Sequence, residues 1–347
     1  MYILSSMKKI IGIALVIVFG CAAYFWNTDK ERGEEVAFPA VGNVERPVRV
    51  VATFYPIREL AAGVVGNLGG VEAIVPAGME PHDYEPSIGD IKKIYDADLF
   101  LLNGAGMDAW AEKLTSDLWS KGVPSLRLAD KVILLKSDEN SGHEDEHVKE
   151  SVELVGMGSI AREEQGDVNE HGEWDPHFWL DPISARSLVY AISESLSQRF
   201  PENHTQFQAN AERTVQKLEV LDSEYQTGLA LCSKNEVVTS HDAFRYLAHR
   251  YGFKTHALAG ISPEEEPSPK RLAELAAEVK EEKIKFIFFE TLVSPRIAET
   301  LARETGARTL VFNPIEGVTA EESAAGIGYW SLMQDNLSAL QKALECK

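Results

Sequence analysis

Three histidines carry the chemistry that this chain advertises. They are His82 in Pro81-His82-Asp83-Tyr84-Glu85-Pro86, His177 in Asp175-Pro176-His177-Phe178-Trp179-Leu180-Asp181-Pro182, and His241 in Ser240-His241-Asp242. Each has a carboxylate beside it in sequence: Asp83, Asp175 and Asp242. A carboxylate can fix the tautomer and the orientation of a metal-bound imidazole. Three imidazoles and one further ligand make a zinc site. A lone histidine is more often a packed or solvated residue. Three of them in comparable settings call for a fold that brings them together.

The surrounding pattern supplies such a fold. Strand-like runs at residues 48–54, 71–75 and 98–102 alternate with helical runs at 57–65, 87–95 and 107–118. Asp181 followed by Pro182 reads as an N-cap and first helical position, with the helix running to about residue 198. A longer helical run over 202–229 has almost no breaker, and Phe207, Ala211, Val215, Leu218, Leu221 and Tyr225 trace one face of it. Strands then recur at 236–240, 284–289 and 308–312, with helices at 242–251, 270–282, 294–305 and 329–344. This alternation predicts an α/β protein with parallel-type sheets. We expect two small α/β domains, at 47–200 and 231–347, joined by one long rigid helix at 201–230. In open α/β sheets, ligands bind outside the carboxyl ends of the strands. The three histidines read as strand-end residues, and so do two carboxylates, Glu290 and Glu316. Either could complete the site in the cleft between the domains.

Composition narrows the class. The chain has 347 residues, 44% hydrophobic and 25% charged, with a net charge of −20. That balance suits a solvated globular protein and repels nucleic acid. Residues 1–20 read as a lipoprotein-type signal peptide, with Lys8 and Lys9 before an apolar run. Val18-Phe19-Gly20-Cys21 resembles a lipobox, which makes Cys21 the lipidated residue and places the protein extracytoplasmically, anchored to the membrane. An uncleaved anchor helix is the alternative, since the apolar run continues to Trp26. Residues 21–46 read as a flexible tether. Cys232 and Cys346 remain. In an oxidising compartment they are expected to form a disulfide, the alternative being two buried thiols.

Residues 137–173 break the pattern. The stretch is acidic and contains His143, His147 and His171, a possible weak metal-collecting loop or a plain solvated one.

Taken together, Val51-Ala52-Thr53-Phe54-Tyr55-Pro56, the two motifs around His82 and His177, Ser240-His241-Asp242-Ala243-Phe244 and Asn313-Pro314-Ile315-Glu316-Gly317 closely resemble one family. It is the cluster A metal-binding proteins of bacterial ABC importers, in their zinc-specific ZnuA-like branch. The resemblance covers about residues 48–344. It implies two α/β domains joined by a long helix, with metal in the cleft. It also implies that His82 and His177 come from the first domain and His241 and a carboxylate from the second. The family's carboxylate lies at the strand end nearer the C-terminus, which points to Glu316 rather than Glu290. Zn2+ would be the transported ligand, the partner an ABC transporter membrane permease, and the protein a monomer.

Three imidazoles and a carboxylate suit tetrahedral zinc, whereas manganese prefers more oxygen ligands. The manganese members of the family carry a carboxylate where His241 stands. A surface adhesin is a second role suggested for some members. A zinc hydrolase would need an open coordination position, and none of His82, His177 and His241 lies in a His-Glu-x-x-His motif; the one match, His143-Glu144-Asp145-Glu146-His147, falls in the acidic stretch. We expect no enzyme. Ligand imidazoles must be neutral, so binding is expected to weaken below about pH 6.

Overall fold

The strand-end logic is realised in two four-stranded parallel sheets. The computed structural model describes residues 46–137 and 174–347. The signal and tether calls, Cys21, and the loop histidines His143, His147 and His171 lie outside the described residues.

The first sheet has the order β2-β1-β3-β4, from Val48–Ala52 (β1), Gly69–Ala73 (β2), Leu99–Leu102 (β3) and Ser125–Arg127 (β4). β3 is Leu-Phe-Leu-Leu and wholly buried, the continuous apolar run expected of a strand covered on both faces. Gly69 is required where β2 meets β1, because a Cβ there would fall 1.9 Å from the Val48 carbonyl oxygen. Helices Tyr55–Val65 (α1) and Ile88–Tyr95 (α2) follow β1 and β2. Ser87 and Asp90 close a reciprocal capping box at the start of α2. The single helix expected over 107–118 is instead two short ones, Ala109–Glu112 (α3) and Thr115–Ser120 (α4). The Thr115 hydroxyl donates to the Glu112 carbonyl at the break, at 2.8 Å, a local bond that competes with the helix ladder.

Pro182–Arg199 (α5) begins on the Asp181 cap, whose carboxylate accepts from the Ile183 and Ser184 amides, each at 3.1 Å. His204–Leu229 (α6) then runs 26 residues, about 39 Å at 1.5 Å per residue. It buries the face read from the sequence and packs on α1 and α5.

The second sheet repeats the order as β6-β5-β7-β8, from Glu236–Thr239 (β5), Lys254–Ala257 (β6), Phe286–Phe289 (β7) and Arg308–Val311 (β8). Its helices are Arg245–Tyr251 (α7), Pro269–Glu281 (α8), Arg296–Thr305 (α9), Ala320–Ala324 (α10) and Tyr329–Ala343 (α11). α6 reaches this lobe through α7 and α11, and the Tyr225 hydroxyl donates to the Met333 carbonyl at 2.7 Å. Each lobe has its own apolar core, around Phe100 and Leu102 in the first and around Val238 and Ile287 in the second. Both belong to one compact unit, Pro47–Lys347. A disulfide joins Cys232 to Cys346, so the chain's end is tied to the start of the second lobe.

Candidate metal centre

Four side chains converge where the two sheets' loops meet. The Nε2 atoms of His82, His177 and His241 lie 3.3, 3.1 and 3.2 Å from Glu316 Oε1. The Nε2 atoms of His177 and His241 are 3.3 Å apart. All four ligand-type atoms lie within 4.8 Å of one another. A regular tetrahedron with metal–ligand bonds of about 2.0–2.1 Å has edges of roughly 3.3–3.4 Å, and zinc takes that geometry. The four closest edges here match it.

Each side chain arrives by a distinct local device. Glu316 follows β8 on a loop that is held rigidly. Asn313 and Asn336 clamp each other: the Asn313 amide donates to Asn336 Oδ1 at 2.8 Å, and Asn336 Nδ2 donates to the Asn313 carbonyl at 2.7 Å. Asn313 Oδ1 in turn accepts from the Ile315 amide at 2.7 Å. Ile315 sits at φ 58° and is fully buried. A β-branched residue resists that left-handed conformation, at about 1–3 kcal/mol. It is retained because it turns the next residue, Glu316, into the cleft.

His241 lies two residues beyond β5, and its Nδ1 donates to Glu290 Oε1 at 2.6 Å. His177 is not at a strand end. It follows an isolated antiparallel bridge between Lys136 and Trp174 and precedes the 3₁₀ turn Phe178–Leu180. Its Nδ1 donates to Asp175 Oδ1 at 2.8 Å, and the same oxygen accepts its backbone amide at 2.9 Å. His82 sits nine residues beyond β2 on an exposed loop turned by Gly78, whose φ of 82° favours glycine.

The sequence neighbours do not all take the orienting role expected of them. Asp175 does. Asp83 is exposed, and Glu80 is the carboxylate that accepts the His82 amide. Asp242 faces Arg245 at 3.8 Å, and Glu290 takes the imidazole of His241. Glu290 therefore stands behind a histidine rather than among the four converging atoms. Sequence reading missed Glu80. Its place two residues before His82, on the same loop, was the available signal.

Electrostatics follow from burial and pairing. Burial alone would lower the His177 and His241 imidazoles. Bonds to Asp175 and Glu316 outweigh it for His177, and the charges of Glu290 and Glu316 outweigh it for His241, so His177 is raised and His241 well raised. His82 has no such partner behind it, and burial leaves it lowered. Burial would raise Glu316, but the His241 charge and the bonds from the three imidazoles hold it well below the usual carboxylate range. Glu80 is pushed up to about 7 by burial and by the charge of Glu316.

Two parallel α/β lobes bridged by a long helix, with a three-imidazole, one-carboxylate cluster between them, define a cleft-type metal-binding protein. The chain belongs to the zinc-uptake complex component A (ZnuA) family, which it matches over residues 50–343. It is 39% identical over 98% of its length to the zinc-binding lipoprotein AdcA of Streptococcus pneumoniae, of which it spans 62%. The chain thus spans about three-fifths of the length of that relative. It is 35% identical, over 86% of this chain and 88% of the relative, to the high-affinity zinc uptake system protein ZnuA of Bacillus subtilis. Among solved structures it resembles the Zn(II)-bound ZnuA-like domain of S. pneumoniae AdcA, with 38% identity and a TM-score of 0.70, over 86% of this chain and all of that one. It also resembles the laminin-binding protein Lmb of Streptococcus agalactiae, described as bifunctional with adhesin and metal-transporting activity. That match has 29% identity and a TM-score of 0.70, over 86% of this chain and all of that one.

Proposed function

We propose that the chain captures Zn2+ outside the cytoplasmic membrane and hands it to an ABC-type importer, with His82, His177, His241 and Glu316 as the four ligands. One observation carries the reading. An ionised carboxylate only accepts hydrogen bonds, so Asp175 and Glu290 commit the Nδ1 atoms of His177 and His241 as donors. In the neutral imidazoles both Nε2 atoms then present lone pairs to one another at 3.3 Å, and to Glu316. Such a constellation is repulsive unless a cation or protons lie within it. Three nitrogens and one oxygen at tetrahedral spacing favour zinc over manganese.

The fourth position is taken by Glu316, which leaves no open site at which a metal-bound water would be activated. A binding protein is therefore favoured over a hydrolase. The names of the relatives support tethering through Cys21 and a membrane permease as the partner. Residues 47–200 and 231–347 would serve as the two jaws, with the helix at 201–230 between them. The laminin-binding neighbour supports one further role, adhesion, which a laminin-binding assay on zinc-loaded and zinc-free protein would check.

The test is metal analysis of the native protein, with a competition titration of zinc against manganese. One zinc per chain, not displaced by excess manganese, is expected. Preferential retention of manganese would overturn the assignment.

A further inference from the structure

The seven-residue segment Asp175–Asp181, which carries His177, is gripped by the opposite lobe. The Tyr246 hydroxyl on α7 donates to the Asp175 carbonyl at 2.9 Å and accepts the Leu135 amide at 2.9 Å. Trp179 Nε1 donates to the Pro314 carbonyl at 2.8 Å, and the Tyr329 hydroxyl donates to the Trp179 carbonyl at 2.6 Å. The Arg250 guanidinium forks onto the Asp181 carboxylate, with Nη2 to Oδ2 at 2.9 Å.

The segment is buried throughout. Tyr246 and Arg250 lie on the helix that follows His241 directly, and Pro314 lies two residues before Glu316. Tyr246 and Arg250 thus belong to the helix after His241, and Pro314 to the loop of Glu316.

The His82 loop is fastened differently. Beyond the His82 imidazole itself, which meets Glu316 at 3.3 Å, it is tied to the second lobe by a backbone bond, Gly78 amide to Val318 carbonyl at 2.8 Å. Ala77, Gly78, Met79, Asp83 and Glu85 on it are exposed. The His82 side chain is 8% exposed, against 0% for His177 and His241 and 1% for Glu316.

From this asymmetry we infer that Tyr246 and Arg250 are positioning residues that fix His177, His241 and Glu316 as a preset three-ligand half-site, and that His82 is the last ligand to engage and the first to leave. Preset ligands lower the ordering cost of binding. A bidentate arginine–carboxylate pair adds geometric definition as well as attraction. Metal reaches the half-site from the exposed His82 side.

The inference rests on the zinc reading above, and its test is separable from it. Full-length protein is loaded with zinc, and release into excess EDTA is followed by stopped flow for the parent, Tyr246→Phe and Arg250→Lys. Both variants should release zinc roughly 3- to 10-fold faster, the worth of one to two hydrogen bonds, with association unchanged. The visible absorption of the Co(II)-loaded protein should also lose its tetrahedral intensity, a signature that a purely structural role would leave alone. In parallel, His82→Ala should still bind one zinc, and at least about tenfold more tightly than His177→Ala. Equal losses for the two histidines, or unaltered release and spectra in both positioning variants, would overturn the half-site. A parent protein that binds no zinc would instead overturn the functional reading itself.

Discussion

His241 Nδ1 and Glu290 Oε1 are 2.6 Å apart, the shortest of the carboxylate bonds behind the converging imidazoles. Glu290 is 2% exposed, so bulk solvent does not compete for its bond to the imidazole. Its carboxylate sets which His241 nitrogen faces the cleft and makes that nitrogen a better donor to a metal.

Glu290 and Glu316 should therefore respond differently to mutation. Glu290→Gln is expected to weaken zinc binding roughly 10- to 100-fold, the usual loss for a group that orients a ligand. Glu316→Ala removes a proposed ligand and should cost more than about 100-fold. Isothermal titration against a competing chelator measures both. A larger loss for Glu290→Gln, with both proteins folded, would exchange the two roles.

Acid should act on the metal and on the fold with opposite signs. His177 is held above the ordinary 6.5, and His241 well above. A group raised on folding adds stability that is fully present below its unfolded value and is lost as pH rises through its folded value. Chelator-treated protein should therefore lose this contribution from about pH 6.5 upward, lowering its melting temperature between pH 6.5 and 8.5. Zinc must displace those protons, so zinc affinity should rise over the same interval. The fall on acidification should begin above the pH of about 6 expected for ordinary imidazoles. A melting temperature of the metal-free protein that climbs steadily to pH 8.5 would contradict this charge pairing.

The disulfide spans 114 residues. The chain-entropy account assigns such a loop about 4–5 kcal/mol, often less in practice. Backbone bonds from Lys234 to the Leu344 carbonyl and from Lys347 to the Leu231 carbonyl, both 3.0 Å, remain after its removal. Cys346→Ala should thus lower the melting temperature by several degrees while zinc affinity is retained, because the bond lies at the opposite ends of the strands from the ligands. Calorimetry of reduced and oxidised protein checks the first part, and zinc titration the second.

Residues 137–173 are expected to be dispensable for tight binding. Lys136 and Trp174 already face each other across an antiparallel bridge, and the Asp175 amide donates to the Leu135 carbonyl at 2.8 Å. A two- or three-residue turn can close that gap. The shortened protein should bind one zinc with affinity within a few-fold of the parent. Abolished binding would show that the acidic stretch belongs to the site.

Much of this was legible in the residues. The His82, His177 and His241 motifs marked the converging imidazoles, and the long helix and the Asp181-Pro182 helix start were readable from periodicity and capping. Ser125–Arg127 and Lys254–Ala257 were not, because short edge strands with mixed polar residues show no apolar run. Orienting carboxylates were misread where adjacency stood in for geometry. His82 and Asp83 share a turn, and His241 and Asp242 a bend, in which the neighbouring carboxylates face elsewhere: Asp83 is exposed and Asp242 faces Arg245. Asp175 succeeds at two residues' distance, and Glu290 reaches His241 only through the pairing of β5 with β7, which brings Val238 beside Ile287.

The two sheets share one strand order, and with it one topological switch point each, between β1 and β3 and between β5 and β7. In the second lobe that crevice holds His241 and Glu290. In the first, the corresponding place is filled from within. The Thr53 hydroxyl donates to Asp108 Oδ2 at 2.6 Å, and the Asn103 and Gly104 amides close on the same carboxylate at 2.6 and 2.8 Å. Burial pushes Asp108 up to about 6. The molecule thus resembles a doubled design in which one copy's binding crevice has been plugged by its own side chains. That half supplies instead the loop of His82 and the buried segment of His177, which packs on the ends of β1 and β3: Asn103 Nδ2 donates to the Pro176 carbonyl at 3.1 Å, and the Phe54 and Trp179 rings meet edge to face at 5.0 Å.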